Sequence, residues 1–263
     1  MCSAVRALAC AWLVVAAGCY STSETLGPPP RPDGTVDVAP EIVDVPVETV
    51  DVPVESVDVH DPDPDPDPDP DPEPVVCPDD MVAVDGWFCI DRWEASRPDA
   101  TETSVGEDSS VAVSVPGVRP WATTSSPENY ELVRAACAAA GKRLCRPDEW
   151  FRACGGPDEQ TYCYGDDYDP VACNGIDAFC AEPTAGCGLV EGGFHVTVTG
   201  SFPDCTNEYG LFDINGNLWE WVEDPELVVR GGAFNCGNSA LLHECSYTSP
   251  AAYRSAIGFR CCR

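Results

Sequence analysis

The sequence predicts an α+β domain that is rich in loops and disulfides and is preceded by a disordered tether. Three observations lead there. Composition changes sharply near Val76, with Pro, Asp, Glu and Val before it and mixed apolar and aromatic residues after it. Of 17 cysteines, three fall at or before position 19 and 14 fall from Cys77 onward. The C-terminal part alternates short strand patterns with two helical ones, without a long run of either.

Met1 to Cys19 has an early Arg6, an apolar run from Ala7 to Ala17 and then AAGC. This reads as a lipoprotein signal whose lipobox makes Cys19 the lipidated first residue. A secretory signal cleaved after a small residue is the alternative, and the run is short for a membrane span, which needs about 20 apolar residues. More than one acyl chain at Cys19 makes anchoring firm where a single chain is marginal. The expected location is a bacterial envelope, at the outer membrane or cell surface.

Tyr20 to Val76 carries almost no aromatic residue and cannot bury a core. VDV recurs every seven residues from Val36 to Val57, but Pro46 and Pro53 interrupt it, so it is no coiled-coil seam. Asp61 to Pro72 is a pure Asp-Pro run. At about 3.1 Å per residue in the polyproline II conformation, the tether reaches on the order of 100 Å or more. The net charge of −31, much of it here, argues against nucleic acid as a partner.

The domain, 77–263, opens with a strand pair: Met81 to Val84, a turn at Asp85-Gly86, and Trp87 to Trp93. Arg97 to Val118 is polar and irregular. Ser126 as N-cap and Pro127 at the first helical position start a helix that places Tyr130, Val133, Cys137 and Ala140 on one face and stops at Gly141. A second helix runs from about Pro147 to Ala153, with Trp150 inward. Tyr162 to Cys205 is loop-rich, with disulfides replacing core.

The even count of 14 implies disulfides whose connectivity cannot be derived, with Cys261 and Cys262 bonded to different distant partners. A zinc site would need CxxC or CxxxxH spacing, which is absent. In GLFDINGNLWEWVED (Gly210 to Asp224), Asp213, Asn215, Gly216 and Asn217 form a polar turn. The turn enters a strand whose Trp219 and Trp221 alternate with Glu220, the pattern of a half-buried strand. The turn reads either as an Asx turn or as an oxygen cage for a hard cation such as calcium, closed by Glu220.

GLFDINGNLWEW, RGGAF (Arg230 to Phe234) and GFR (Gly258 to Arg260), with GKRLCRPDEW (Gly141 to Trp150) and FCIDRWEAS (Phe88 to Ser96), resemble the formylglycine-generating enzyme, or sulfatase-modifying factor, family. The resemblance implies a C-type-lectin-like fold and a calcium site with side chains of Asp213 and Glu220 and backbone oxygens of Gly216 and Leu218. The family's other calcium site finds only a poor local match at Asn174 and Asp177. The family reaction oxidises a substrate cysteine to formylglycine with dioxygen at two cysteines that hold cuprous copper. Cys236 matches the first, but the next cysteine, Cys245, follows after eight residues where the family has four.

Ala233 also stands where the family has serine, and SYTSP (Ser246 to Pro250) replaces an Arg-rich segment. Because spacing at a two-ligand metal site is geometric, Cys236 and Cys245 are each read as ordinary disulfide cysteines of unassigned partner; the alternative has them converging on copper. His243 and Glu244 are read as a solvated loop pair. Two functions follow. One is a non-catalytic surface module binding a protein, peptide or glycan, with Trp87, Trp93, Trp121 and Tyr247 either an exposed contact patch or core. The other is a divergent copper oxidase.

Overall fold

A computed structural model describes residues 75–179, 195–236 and 238–263. The signal, nearly all of the tether, and Cys180 and Cys187 lie outside these residues. Among the described residues no helix is long and apolar enough to cross a membrane.

Strands β1 (Met81–Val84) and β2 (Phe88–Asp91) form the expected antiparallel pair, in register Val84↔Phe88 to Met81↔Asp91. Asp85 and Gly86 have positive φ of 51° and 74°, the tight reversal that Asp and Gly tolerate. A short strand β3 (Ala95–Ser96), just before the polar segment, pairs with β4 (Val113–Ser114) inside it. Helix α1 (Pro127–Ala139) follows, capped by the Ser126 side chain, which accepts from Asn129 N. It buries Tyr130, Val133, Ala136 and Cys137, and Gly141 leaves it at φ 70°. Ala136, rather than the expected Ala140, completes the buried face.

Strand β5 (Arg143–Leu144) leads to α2 (Pro147–Gly155), slightly longer than expected. The Glu149 side chain accepts from Arg146 N at 2.9 Å and pairs with Arg143. Trp150 is fully buried. A short helix, α3 (Ile176–Phe179), precedes the central segment. That segment contains strands β6 (Trp219–Trp221) and β7 (Val228–Arg230), helix α4 (Ser239–Leu242), and strands β8 (Thr248–Pro250), β9 (Ile257–Phe259) and β10 (Cys261–Cys262).

Two four-stranded sheets result, ordered β1-β2-β10-β5 and β8-β7-β6-β9. Within the second, β6 lies between antiparallel β7 and parallel β9, with Glu220 opposite both Arg230 and Gly258. Trp219, Glu220 and Trp221 are all buried, so the expected half-buried strand is corrected. A central strand has both faces covered, here with a charge inside. One core cluster gathers Trp121, Tyr130, Trp219, Trp221 and Phe259, and the other gathers Ile90, Trp150, Leu211, Ile214 and Val222. Of the four aromatic residues offered as a contact patch, Trp87 is 78% exposed and Trp121 is 1% exposed. Trp93 and Tyr247 are half-buried, so no four-residue patch forms.

Five disulfides lie among the described residues: Cys77–Cys89, Cys137–Cys261, Cys145–Cys262, Cys154–Cys245 and Cys173–Cys205. The adjacent Cys261 and Cys262 take different partners. They point to opposite faces of β10, one toward α1 and one toward the start of α2.

Candidate functional site

The turn before β6 is built from residues that favour a left-handed backbone: φ is 55° at Asp213, 76° at Gly216 and 52° at Asn217. At Gly216 a Cβ would stand 2.5 Å from the Asn174 carbonyl oxygen, so only glycine fits. The polar side chains between them point inward and reach separate segments. Asn215 donates to the His243 carbonyl at 2.6 Å and accepts from Cys163 N at 2.8 Å. Asn217 donates to Glu94 Oε2 at 2.5 Å and accepts from Asn174 Nδ2 and Thr197 N at 2.8 and 2.9 Å. Asp213 accepts from Gly200 N at 2.6 Å. This turn joins segments that have no sheet in common.

Glu220 closes the same region through charge. Arg260 Nε donates to both of its oxygens at 2.9 and 2.8 Å, Arg260 Nη2 to one at 2.7 Å, and Trp150 Nε1 to the other at 2.6 Å. Both members of the ion pair are 0% exposed. Burial pushes Glu94 well above the ordinary carboxylate range, and Asp213 and Glu220 add to that effect. Burial also pushes Asp213 up to about 7.

The donors expected for calcium were Asp213, Gly216, Leu218 and Glu220. Glu220 is held on both oxygens, so a cation there would sit against the Arg260 guanidinium. Among the described residues no three carboxylates converge within 4.8 Å. Contrary to the expectation from the resemblance, the set does not fit a hard cation, which needs several converging oxygens unopposed by a fixed positive charge. Asn174 and Asp177 are separated in role as well. Asn174 serves Asn217, and Asp177 accepts from the Tyr168 hydroxyl at 2.8 Å.

The structure does not bring Cys236 and Cys245 together as two thiols, and Cys245 is the disulfide cysteine expected of it. Cys245 is bonded to Cys154, with a Cα–Cα distance of 5.6 Å. The intervening residues include α4, tied at its start by Ser239 Oγ donating to the Cys236 carbonyl at 3.0 Å, and they carry Cys245 away to the end of α2. Cys236 itself is buried, as is Ala233.

His243 is buried too, at 2% exposure, which corrects its reading as a solvated residue. Its ring lies against three glycines. A Cβ at Gly232, Gly175 or Gly216 would stand 2.1, 2.8 or 3.2 Å from a ring carbon. Burial lowers its pKa to about 4, against the opposing effects of a hydrogen bond with the Ala233 backbone and of Asp177. Because the folded value lies below the unfolded one, near 6.5, its contribution to stability is fully present above pH 6.5. It is lost as the pH falls through 4. The loss amounts to about 3 kcal/mol, and His243→Asn is expected to remove most of it, as read from denaturant midpoints between pH 7 and pH 4.

Asn215 and the Arg260–Glu220 pair escaped sequence reasoning as functional anchors. Their signal was present in the turn motif and in GFR, but only as a match, since Arg260 lies 40 residues from Glu220.

Residues 129–263 match the family model described as "Sulfatase-modifying factor enzyme 1-like domain". Among curated proteins, the chain is 34% identical over 148 residues to "Inactive C-alpha-formylglycine-generating enzyme 2" of Bos taurus, covering 51% of this chain and 48% of the relative. It is 30% identical over 154 residues to "Formylglycine-generating enzyme" of Bos taurus, covering 48% and 40%. The alignments thus span about half the length or less of these curated relatives. A solved structure titled "Crystal Structure of CarF" matches with a TM-score of 0.43 and 18% identity, over 67% of this chain and 85% of that one. The family model covers just over half of the sequence and contains the turn, the ion pair and both cysteines discussed above, and so the chain belongs to the sulfatase-modifying factor enzyme 1-like domain family.

Proposed function

We infer that the chain is a lipid-anchored, non-catalytic module in which a sulfatase-modifying-factor domain presents a rigid, disulfide-bonded surface to a protein, peptide or glycan partner. The observation that carries this reading is the Cys154–Cys245 bond. It removes the Cys245 sulfur from any two-thiolate site with Cys236, and a cuprous ion prefers soft sulfur donors. Ala233, in place of a hydroxyl-bearing residue, supports the same reading, as does the 34% identity to a relative named as inactive. Anchoring rests on the AAGC segment ending at Cys19, followed by the long acidic Pro- and Asp-rich stretch whose composition suits a spacer.

Two measurements test the proposal. The oxidised full chain is incubated with cuprous ion and a sulfatase-derived cysteine peptide under dioxygen. No retained copper and no aldehyde-bearing peptide by mass spectrometry are expected. One copper per chain, lost on Cys236→Ala together with peptide oxidation, would establish the oxidase instead. For the anchor, Cys19→Ser is expected to move the protein from the membrane to the soluble fraction, and a variant still sedimenting with membranes would exclude lipidation at that residue.

A further inference from the structure

Beneath the turn before β6 three sulfurs meet. Cys173 and Cys205 are joined, and the Cys163 thiol stands 3.9 Å from each of their sulfurs. Among the described residues this is the one His, Cys, Asp or Glu trio whose ligand atoms all lie within 4.8 Å of one another. All three are at most 3% exposed. The position of Cys163 is set by its backbone N–H, which donates to Asn215 Oδ1, and the Asn215 carbonyl oxygen lies 3.2 Å from Cys205 Sγ.

In the oxidised protein Cys163 is a poor nucleophile toward this bond. Equal distances to both sulfurs place it beside the S–S bond rather than on its extension, the line along which a thiolate must attack. Burial also pushes the thiol above its ordinary range, an effect that the Asp213 carboxylate increases and Arg260 opposes. The arrangement must be explained by something other than exchange.

The geometry points to a redox-gated site for a thiophilic divalent cation of the zinc class, formed by the sulfurs of Cys163, Cys173 and Cys205 when the Cys173–Cys205 bond is reduced. In a tetrahedral site with metal–sulfur bonds of about 2.3 Å, neighbouring sulfurs stand about 3.8 Å apart. Two edges of the triangle, each 3.9 Å, already have that length. The third is the disulfide, and breaking it lets those two sulfurs separate to their contact distance. The Asn215 carbonyl is placed to supply a fourth, oxygen donor.

An external dithiol supplies two electrons and two protons and becomes a disulfide, while Cys173 and Cys205 become thiols. Cation binding then releases three thiol protons to solvent. Three thiolates leave one net negative charge around a dication, a state that Arg260 favours and Asp213 opposes. The spacing of these cysteines, 10 and 32 residues, matches no sequence motif for zinc, which is why only the fold reveals them. This site is independent of the Cys236 region and of the binding-module reading.

The test uses the full chain and cadmium as the probe. The oxidised protein and its Cys163→Ser variant are first compared by melting temperature and disulfide mapping, and both are expected to be unchanged in the variant. Each is then reduced stepwise with a dithiol under nitrogen and titrated with cadmium, with cadmium-113 NMR and the ultraviolet thiolate-to-cadmium band as readouts. The wild type is expected to bind one ion with three sulfur donors. Cys163→Ser should lose one third of that band and at least tenfold in affinity, while Cys77→Ser/Cys89→Ser should lose neither. Equal affinity and equal band in Cys163→Ser overturn the proposal. So does mapping of Cys163 into a disulfide in the oxidised protein, or loss of near-ultraviolet circular dichroism on reduction that cadmium does not restore.

Discussion

Arg260→Met is expected to destabilise the domain by about 3–5 kcal/mol, because it leaves the Glu220 carboxylate buried without its counter-charge. Arg260 is 0% exposed and makes three hydrogen bonds to Glu220. It also donates to the carbonyls of Asp91 and Phe212 at 3.1 and 3.0 Å. One side chain therefore connects β6, the end of β2 and the segment just before the turn at Asp213. For a domain of this size about 3 °C of melting temperature accompanies each kcal/mol, so the transition should fall by about 10 °C or more. The double variant Arg260→Met/Glu220→Leu should recover a substantial part of the loss, since replacing both partners removes the orphan charge. If the single variant melts within a degree or two of the wild type, the ion pair is not what locks these segments together.

The second large effect concerns the covalent links to β10. The bonds Cys137–Cys261 and Cys145–Cys262 close nearly the same loop, 124 and 117 residues, so removing one leaves the other to hold it. Cys137→Ala/Cys145→Ala/Cys261→Ala/Cys262→Ala frees β10 from both, and the chain-entropy relation places their joint contribution at about 5 kcal/mol or more. The same relation assigns about 3 kcal/mol to the Cys77–Cys89 bond, which spans 12 residues. Guanidinium unfolding of this quadruple variant and of Cys77→Ala/Cys89→Ala should therefore differ by about 2 kcal/mol or more, with the quadruple variant lower. The reverse order would mean that packing around each site, rather than the loop closed, governs what these bonds contribute.

What the sequence made legible was local. Helix α1 was readable because Ser126, Pro127 and Gly141 act within one turn of the helix they delimit, and the β1–β2 hairpin because Asp85-Gly86 reverses the chain between two short apolar runs. The turn at Asp213 was recognisable as a polar turn. Its inward-pointing side chains were not, because their partners, among them Glu94 and His243, lie far away in sequence. Strand β6 was placed correctly but assigned the wrong burial. Alternation of Trp and Glu ordinarily marks an exposed face, and only a counter-charge 40 residues downstream makes a buried glutamate tolerable. The partner of Cys245 was not legible for a related reason. Helix α4 separates it from Cys236, and its actual partner is 91 residues upstream, at the end of α2.

The central position of β10 has a consequence for the order in which the domain is completed. In the first sheet, β2 and β5 do not pair with each other; Cys261 and Cys262 lie between them. A chain that reaches only Phe259 lacks the strand that belongs between β2 and β5 and the disulfide partners of Cys137 and Cys145. Hydrophobic segments in that state expose unpaired strand edges. The arrival of four residues, Arg260 to Arg263, then supplies a strand, the counter-charge for Glu220 and both remaining sulfurs together. These pairings are all of long sequence separation, the kind of contact that slows folding. A chain that stops before Arg260 therefore lacks at once the strand between β2 and β5, the counter-charge of Glu220 and the partners of Cys137 and Cys145.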